Sequence, residues 1–177
     1  QPGTLQVAAG YVLYGSSVVC MLTTGHGVDM FVLDLSIGAF VLVKSKLKMP
    51  ASNKIYSVNE AYVDSFPDGY RQYLEWAHAN GYSGRYIGSM VADIHRTLLK
   101  GGVFMYPPTK LHPQGKLRLM YEANPMAMIV EQAGGKALVG DERILEIQPT
   151  TLHQRTSVLM GSPDEVDHVL EHLDANG

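Results

Sequence analysis

Cysteine is nearly absent from this 177-residue chain. Cys20 stands alone, so no intramolecular disulfide can form, and a reducing, cytoplasmic setting is expected. Long apolar runs are missing as well: none approaches the roughly 20 residues needed to span a bilayer. Gln1-Pro2-Gly3 has neither the basic start nor the apolar core of a signal peptide, so no membrane association is expected. Charge of one sign is scarce, with 14 Lys+Arg against 17 Asp+Glu and a net −3. That balance argues against general nucleic-acid binding but leaves room for a local basic cluster around a small anion. The seven histidines form no HExxH motif, which speaks against a zinc hydrolase. Neither GxSxG nor GxxxxGK[ST] occurs, and Cys20 lies in an expected strand with no base beside it, so serine or cysteine nucleophiles have no support. No repeat or low-complexity linker divides residues 1–177, which read as one domain or one lobe of something larger. A chain of this length buries about 70% of its unfolded surface, enough for a core without disulfides or metals.

The elements that can be read along the chain point to an α/β fold, a mixed sheet covered by helices. Three apolar, β-rich runs, 18–22, 30–33 and 40–43, are separated by turn-like Thr24-Gly25-His26-Gly27 and Ser36-Ile37-Gly38 and read as a meander. Upstream, 7–13 reads as a short helix ended by Gly15. Helices are expected over 70–79, from Ser89 to Lys100, from Asn124 with Pro125 in its first turn, and from Ser162-Pro163-Asp164-Glu165 to about Leu173. Strands are expected at 54–58, 103–106, 136–139, 144–147 and 158–160. In the second half they alternate with helices, as a helix-covered mixed sheet requires.

The segment Lys116-Leu117-Arg118-Leu119-Met120-Tyr121-Glu122 carries the densest chemistry. Run as a strand, it sets Lys116, Arg118 and Glu122 on one face and Leu117, Leu119 and Tyr121 on the other. Two cations beside a carboxylate suit an anionic, metal-bridged ligand such as a phosphate ester; a solvated edge strand with an incidental ion pair has the same pattern. Arg85-Tyr86-Ile87-Gly88-Ser89-Met90 enters a helix, whose free N–H groups favour phosphate, although an ordinary capped helix also fits. Asn59-Glu60-Ala61-Tyr62 offers amide, carboxylate and phenol to sugar hydroxyls or phosphate, or forms a polar turn. Tyr106 ends a strand where open α/β sheets place ligands, or packs in a core. Asp93, His95 and Arg96 share a helix and read as structural. His153-Gln154-Arg155 is conspicuous without a mechanism.

Five strings occur in order: residues 8–16 (AAGYVLYGS), 56–60 (YSVNE), 85–93 (RYIGSMVAD), 115–122 (GKLRLMYE) with Asn124-Pro125-Met126-Ala127, and His153-Gln154-Arg155. On these strings the chain resembles class I fructose-1,6-bisphosphatases over nearly its whole length. The resemblance implies the C-terminal, substrate-binding lobe of that sugar-phosphatase fold, with the N-terminal metal and regulatory domain outside this chain. It implies a Mg²⁺-dependent phosphatase removing the 1-phosphate of fructose 1,6-bisphosphate in gluconeogenesis, with the 177-residue chain alone inactive. Asn59, Tyr62, Tyr86 and Tyr106 would hold the 6-phosphate, and Lys116 the sugar and its 6-phosphate. Gly88, Ser89 and Met90 would line the sugar pocket. Arg85 would reach a neighbouring subunit's site, which implies a homo-oligomer, a tetramer in the full-length protein. Glu122 would be the one metal ligand and Arg118 would lie near the metals and the departing phosphate. Departures from the family pattern occur at Asp34 to Phe40, at Ala61 where glycine is common, and at Ala123 where cysteine is common. A non-catalytic sugar-phosphate-binding module, or a related phosphatase acting on sedoheptulose 1,7-bisphosphate or inositol phosphates, stands as the alternative.

Overall fold

Alternating burial builds the first sheet. In the computed structural model, which describes residues 1–175, β1 (Ala9–Tyr14), β2 (Val18–Thr23), β3 (Val28–Asp34) and β4 (Ala39–Leu47) form an antiparallel meander in chain order. Ala9, Tyr11, Val19, Met21 and Val28 point into the core. Tyr11 lies opposite Met21, and Met21 opposite Met30. β1 replaces the short helix expected over 7–13. A short apolar run fits either period, and here the extended form buries Ala9 and Tyr11 and pairs residues 9–14 with β2. The β3–β4 register slips near Met30. There Lys46 adopts φ 49°, and its N–H donates to Asp29 Oδ1 at 3.0 Å, as a bulge requires.

The remaining strands are β5 (Ile55–Ser57), β6 (Ser83–Gly84), β7 (Val103–Tyr106), β8 (Leu117–Arg118), β9 (Lys136–Val139), β10 (Glu142–Arg143), β11 (Arg155–Thr156) and β12 (Val158–Gly161). Six of them make a mixed sheet in the order β10-β9-β12-β7-β5-β6, while β8 and β11 pair as a separate ribbon. β5 runs parallel to both β6 and β7, and the other pairs are antiparallel.

The helices are α1 (Asp68–Ala79), α2 (Met90–Lys100), α3 (Asn124–Gln132) and α4 (Pro163–Asp174). On β7, Phe104 faces one core, with Ile94 and Leu98 of α2, the apolar residues of α3 and the inner face of the meander. Val103 and Met105 face the other, with Tyr70, Tyr73 and Leu74 of α1 and Val166 and Val169 of α4. The layers therefore run meander, α2 and α3, mixed sheet, α1 and α4, in keeping with the expected helix-flanked mixed sheet.

Local departures have local causes. The strand expected over 144–147 is a 3₁₀ turn, Ile144–Glu146, because Ile144 and Leu145 are both buried and a strand cannot send consecutive side chains to one face. The extended run expected over 116–122 stops at Arg118: Leu119–Ala123 forms a π-helical turn that runs into α3 and buries Leu119 and Ala123. Helix starts at Ser89, Asn124 and Ser162 lie within a residue of expectation, but none of these side chains makes a capping bond. Ser162 Oγ instead donates to Pro50 C=O at 2.6 Å and accepts Gly102 N–H at 3.1 Å.

Candidate functional site

Because β5 and β7 are parallel neighbours, their C-terminal ends open on the same edge of the mixed sheet, where such sheets bind ligands. The chain leaving β5 carries Asn59 and Tyr62; the end of β7 carries Tyr106. With Lys116, which precedes β8, these residues line a cavity of about 210 Å³ whose remaining wall includes Val58, Phe66, Met105, Thr109 and His112. Tyr62 is 57% exposed at its rim.

Asn59 begins a 3₁₀ turn, its Oδ1 accepting Ala61 N–H at 3.2 Å, and its side chain lies near the Tyr86 hydroxyl, whose charged form it favours. Burial raises the Tyr86 pKa, helped by the nearby Tyr106, Asp93 and Tyr62, so that phenol stays a hydrogen-bond donor at neutral pH. Glu60 turns away from this group. It accepts from Tyr56 Oη at 2.6 Å and sits 3.3 Å from His78.

Lys116 is placed by a tight approach. Gly115 has φ 88°, and a Cβ there would run into the Thr156 and Ser157 backbone. Its N–H donates to His112 C=O at 2.9 Å. Arg155 Nη1 donates to Lys116 C=O at 2.6 Å, Leu119 N–H donates to Gln154 C=O at 2.8 Å, and Arg155 pairs with Arg118 across the ribbon. The His153-Gln154-Arg155 string thus braces the lysine segment, a task that the spacing of these residues in sequence does not announce.

The other expected site residues lie apart from the cavity lining. Arg85 is exposed and donates to Gly84 C=O at 2.8 Å. Gly88 and Ser89 form the exposed loop after Tyr86, and Met90 packs on the core. Arg118 and Glu122 face each other: Glu122 Oε2 accepts Arg118 N–H at 2.6 Å and lies 4.0 Å from Arg118 Nη1. The shared strand face expected for Lys116 and Glu122 does not form, because the π-helical turn carries Glu122 away from the β8 direction. Among the described residues no three His, Cys, Asp or Glu side chains group to hold a metal ion. One carboxylate already engaged by Arg118 does not by itself fit a magnesium site. His168 and His172 stand at metal-binding spacing on α4 but stack against Trp76.

Thr109 and His112 were not anticipated in the cavity wall. They are held by reciprocal main-chain bonds of 3.1 and 3.0 Å in a loop that Pro107-Pro108 and Pro113 bracket, a signal available in the sequence. Asp93, read as structural, is fully buried beneath the Tyr86 loop and accepts from Ile87, Gly88, Ser57 and Arg96.

The family model described as "Fructose-1-6-bisphosphatase, C-terminal domain" matches residues 49–174, and "Fructose-1-6-bisphosphatase, N-terminal domain" matches residues 1–45. The seam falls at the end of β4, so the meander matches the model of the N-terminal domain. Fructose-1,6-bisphosphatase class 1 of Chlorobium chlorochromatii is 56% identical over 172 residues, covering 94% of this chain and 52% of the relative. The Synechococcus elongatus protein of the same name is 55% identical over 170 residues, covering 96% and 49%. Crystal structures of Leishmania major fructose-1,6-bisphosphatase in holo form and in T-state superpose with TM-scores of 0.96 and 0.97 at 52% identity, covering 98% and 99% of this chain and 54% and 56% of theirs. The chain spans about half the length of the curated relatives it matches.

Proposed function

The chain belongs to the class I fructose-1,6-bisphosphatase family, and from that premise we propose that its cavity takes the 6-phosphate end of fructose 1,6-bisphosphate in a phosphatase that releases the 1-phosphate. The observation that carries the reading is the convergence of Asn59, Tyr62, Tyr106 and Lys116 on one cavity, with Tyr86 near Asn59. An ammonium, an amide and phenols supply N–H and O–H donors to phosphate oxygens and no competing carboxylate. Arg118 has a guanidinium for the charge of the departing phosphate, and Arg85, exposed and free of the cavity, suits contact with a second subunit of a homotetramer.

Magnesium is the cation we expect the whole protein to use, with Glu122 as one ligand. Glu122 alone does not build that site. For the same reason we expect this chain to bind fructose 6-phosphate without hydrolysing the bisphosphate, which also favours the reading as a sugar-phosphate-binding lobe. The enzyme so read would serve gluconeogenesis in the cytoplasm; the described residues contain no helix long and apolar enough to cross a membrane. A sedoheptulose 1,7-bisphosphatase shares this donor set and is distinguished by competition between the two sugar phosphates.

Calorimetric titration with fructose 6-phosphate tests the proposal. Lys116→Ala is expected to weaken binding by about 1.5–3 kcal/mol, the range for a charge-assisted contact. Unchanged affinity in that variant would overturn it, and phosphate release from fructose 1,6-bisphosphate by the isolated chain would overturn the expectation that this half is inactive alone.

A further inference from the structure

The loop Arg85–Ser89 is exposed along its length, with Ile87 at 62%, so apolar packing does not hold it in place. Arg85 N–H donates to Tyr56 C=O at 2.8 Å at its start, and beyond Tyr86 one carboxylate holds it. Asp93, 0% exposed in the first turns of α2, accepts Ile87 N–H at 3.0 Å and Gly88 N–H at 3.2 Å, directly after Tyr86. The same carboxylate accepts from Ser57 Oγ at 2.9 Å, at the end of β5 and two residues before Asn59. Arg96 Nη1 lies 3.0 Å away and balances the charge. Asn59 and Tyr86, whose side chains lie near each other, are therefore both tethered to Asp93 through their neighbours.

We infer that Asp93 is a positioning residue for the ligand: it fixes the Tyr86 loop against the Asn59 strand end, so that amide and phenol converge on the same phosphate. This rests on the reading of the cavity as a sugar-phosphate site. A carboxylate suits the task because it accepts several N–H and O–H donors at once and is favoured near a helix N-terminus. An amide in its place would turn a donor toward the Ile87 and Gly88 N–H groups.

Fructose 6-phosphate titration of the 177-residue chain and its variants tests this, at a temperature where circular dichroism shows each variant folded. Asp93→Asn is expected to weaken binding about tenfold or more. Leu98→Ala, which opens a cavity in the same helix without touching the loop, is expected to lower the Tm comparably and leave the affinity unchanged. Asp93 acting only on stability would make affinity follow Tm in both variants, and that outcome overturns the inference, as does unchanged binding by Asp93→Asn. Should Asp93→Asn fail to fold, Ser57→Ala removes the tie to the Asn59 side alone, and a loss of about threefold is expected. Normal binding by Ser57→Ala would then count against it. If the unaltered chain does not bind fructose 6-phosphate at millimolar concentration, the sugar-phosphate reading falls and this inference with it. If it binds and Lys116→Ala abolishes binding, only the Asp93 outcomes bear on the inference.

Discussion

Glu165 is 0% exposed, and three donors reach its carboxylate: Ser52 Oγ at 2.5 Å, Asn53 N–H at 3.0 Å and Tyr82 Oη at 2.8 Å. In sequence, Ser162-Pro163-Asp164-Glu165 resembles a capping box, in which Glu165 would reach back to the helix start. The carboxylate instead ties α4 to the segment between β4 and β5. Glu165→Gln keeps the shape but turns one acceptor into a donor among donors. It is expected to cost about 1–3 kcal/mol of stability, read from urea unfolding. What single residues revealed in the sequence was chemical type. Asn59, Tyr106 and Lys116 were recognisable as residue types able to meet an anion, whereas the partners of Asp93 and Glu165 lie up to 113 positions away and leave no local pattern.

At the scale of elements, ends and turns decide more than propensity. Gly115 shows the strictest case. Its φ of 88° lies where a side chain is strained, and the Thr156 and Ser157 backbone occupies the place of a Cβ. Gly115→Ala is therefore expected to displace the segment that carries Lys116. It should lower the Tm by several degrees and remove fructose 6-phosphate binding, checked by differential scanning fluorimetry and titration. The helices were legible because their apolar residues recur at 3.6 and Gly or Pro marks their limits. β1 was not, since a short apolar run takes whichever period its neighbour imposes, and β2 imposes pairing. The reach of β8 was overestimated for the opposite reason. Leu117, Leu119 and Tyr121 alternate as a strand would, yet a strand would bury Tyr121 with Leu119 and Ala123, whereas the helical turn that leads into α3 buries those two and leaves Tyr121 48% exposed.

Over the whole molecule, the meander is joined to the helix layer by a hydrogen bond of 2.9 Å between Tyr11 Oη and His95 Nδ1, with the rings edge to face. Burial lowers the His95 pKa from its ordinary 6.5. Between the folded value and 6.5 the unfolded chain binds more protons, so stability rises with pH there and is lost as pH falls from about 7. The Tm of the unaltered chain is expected to fall more steeply from pH 7 to pH 5 than that of His95→Gln, and parallel slopes would contradict this origin. The residues of β4 from Phe40 to Val43 are half exposed on the outer edge of the same sheet.

The sequence by itself determined the composition class, the helix-flanked mixed sheet, most helix limits and the residue types able to meet a sugar phosphate, because each follows from periodicity or chemistry within a few neighbouring positions. Only the tertiary structure decided which of those residues share a cavity. Lys116 joins Asn59, Tyr62 and Tyr106 because β5 and β7 run parallel and Gly115 seats its loop against the Thr156 and Ser157 backbone at the end of β11. Glu122, six residues on, turns away with the start of α3, since helical rotation separates side chains that a strand would have aligned.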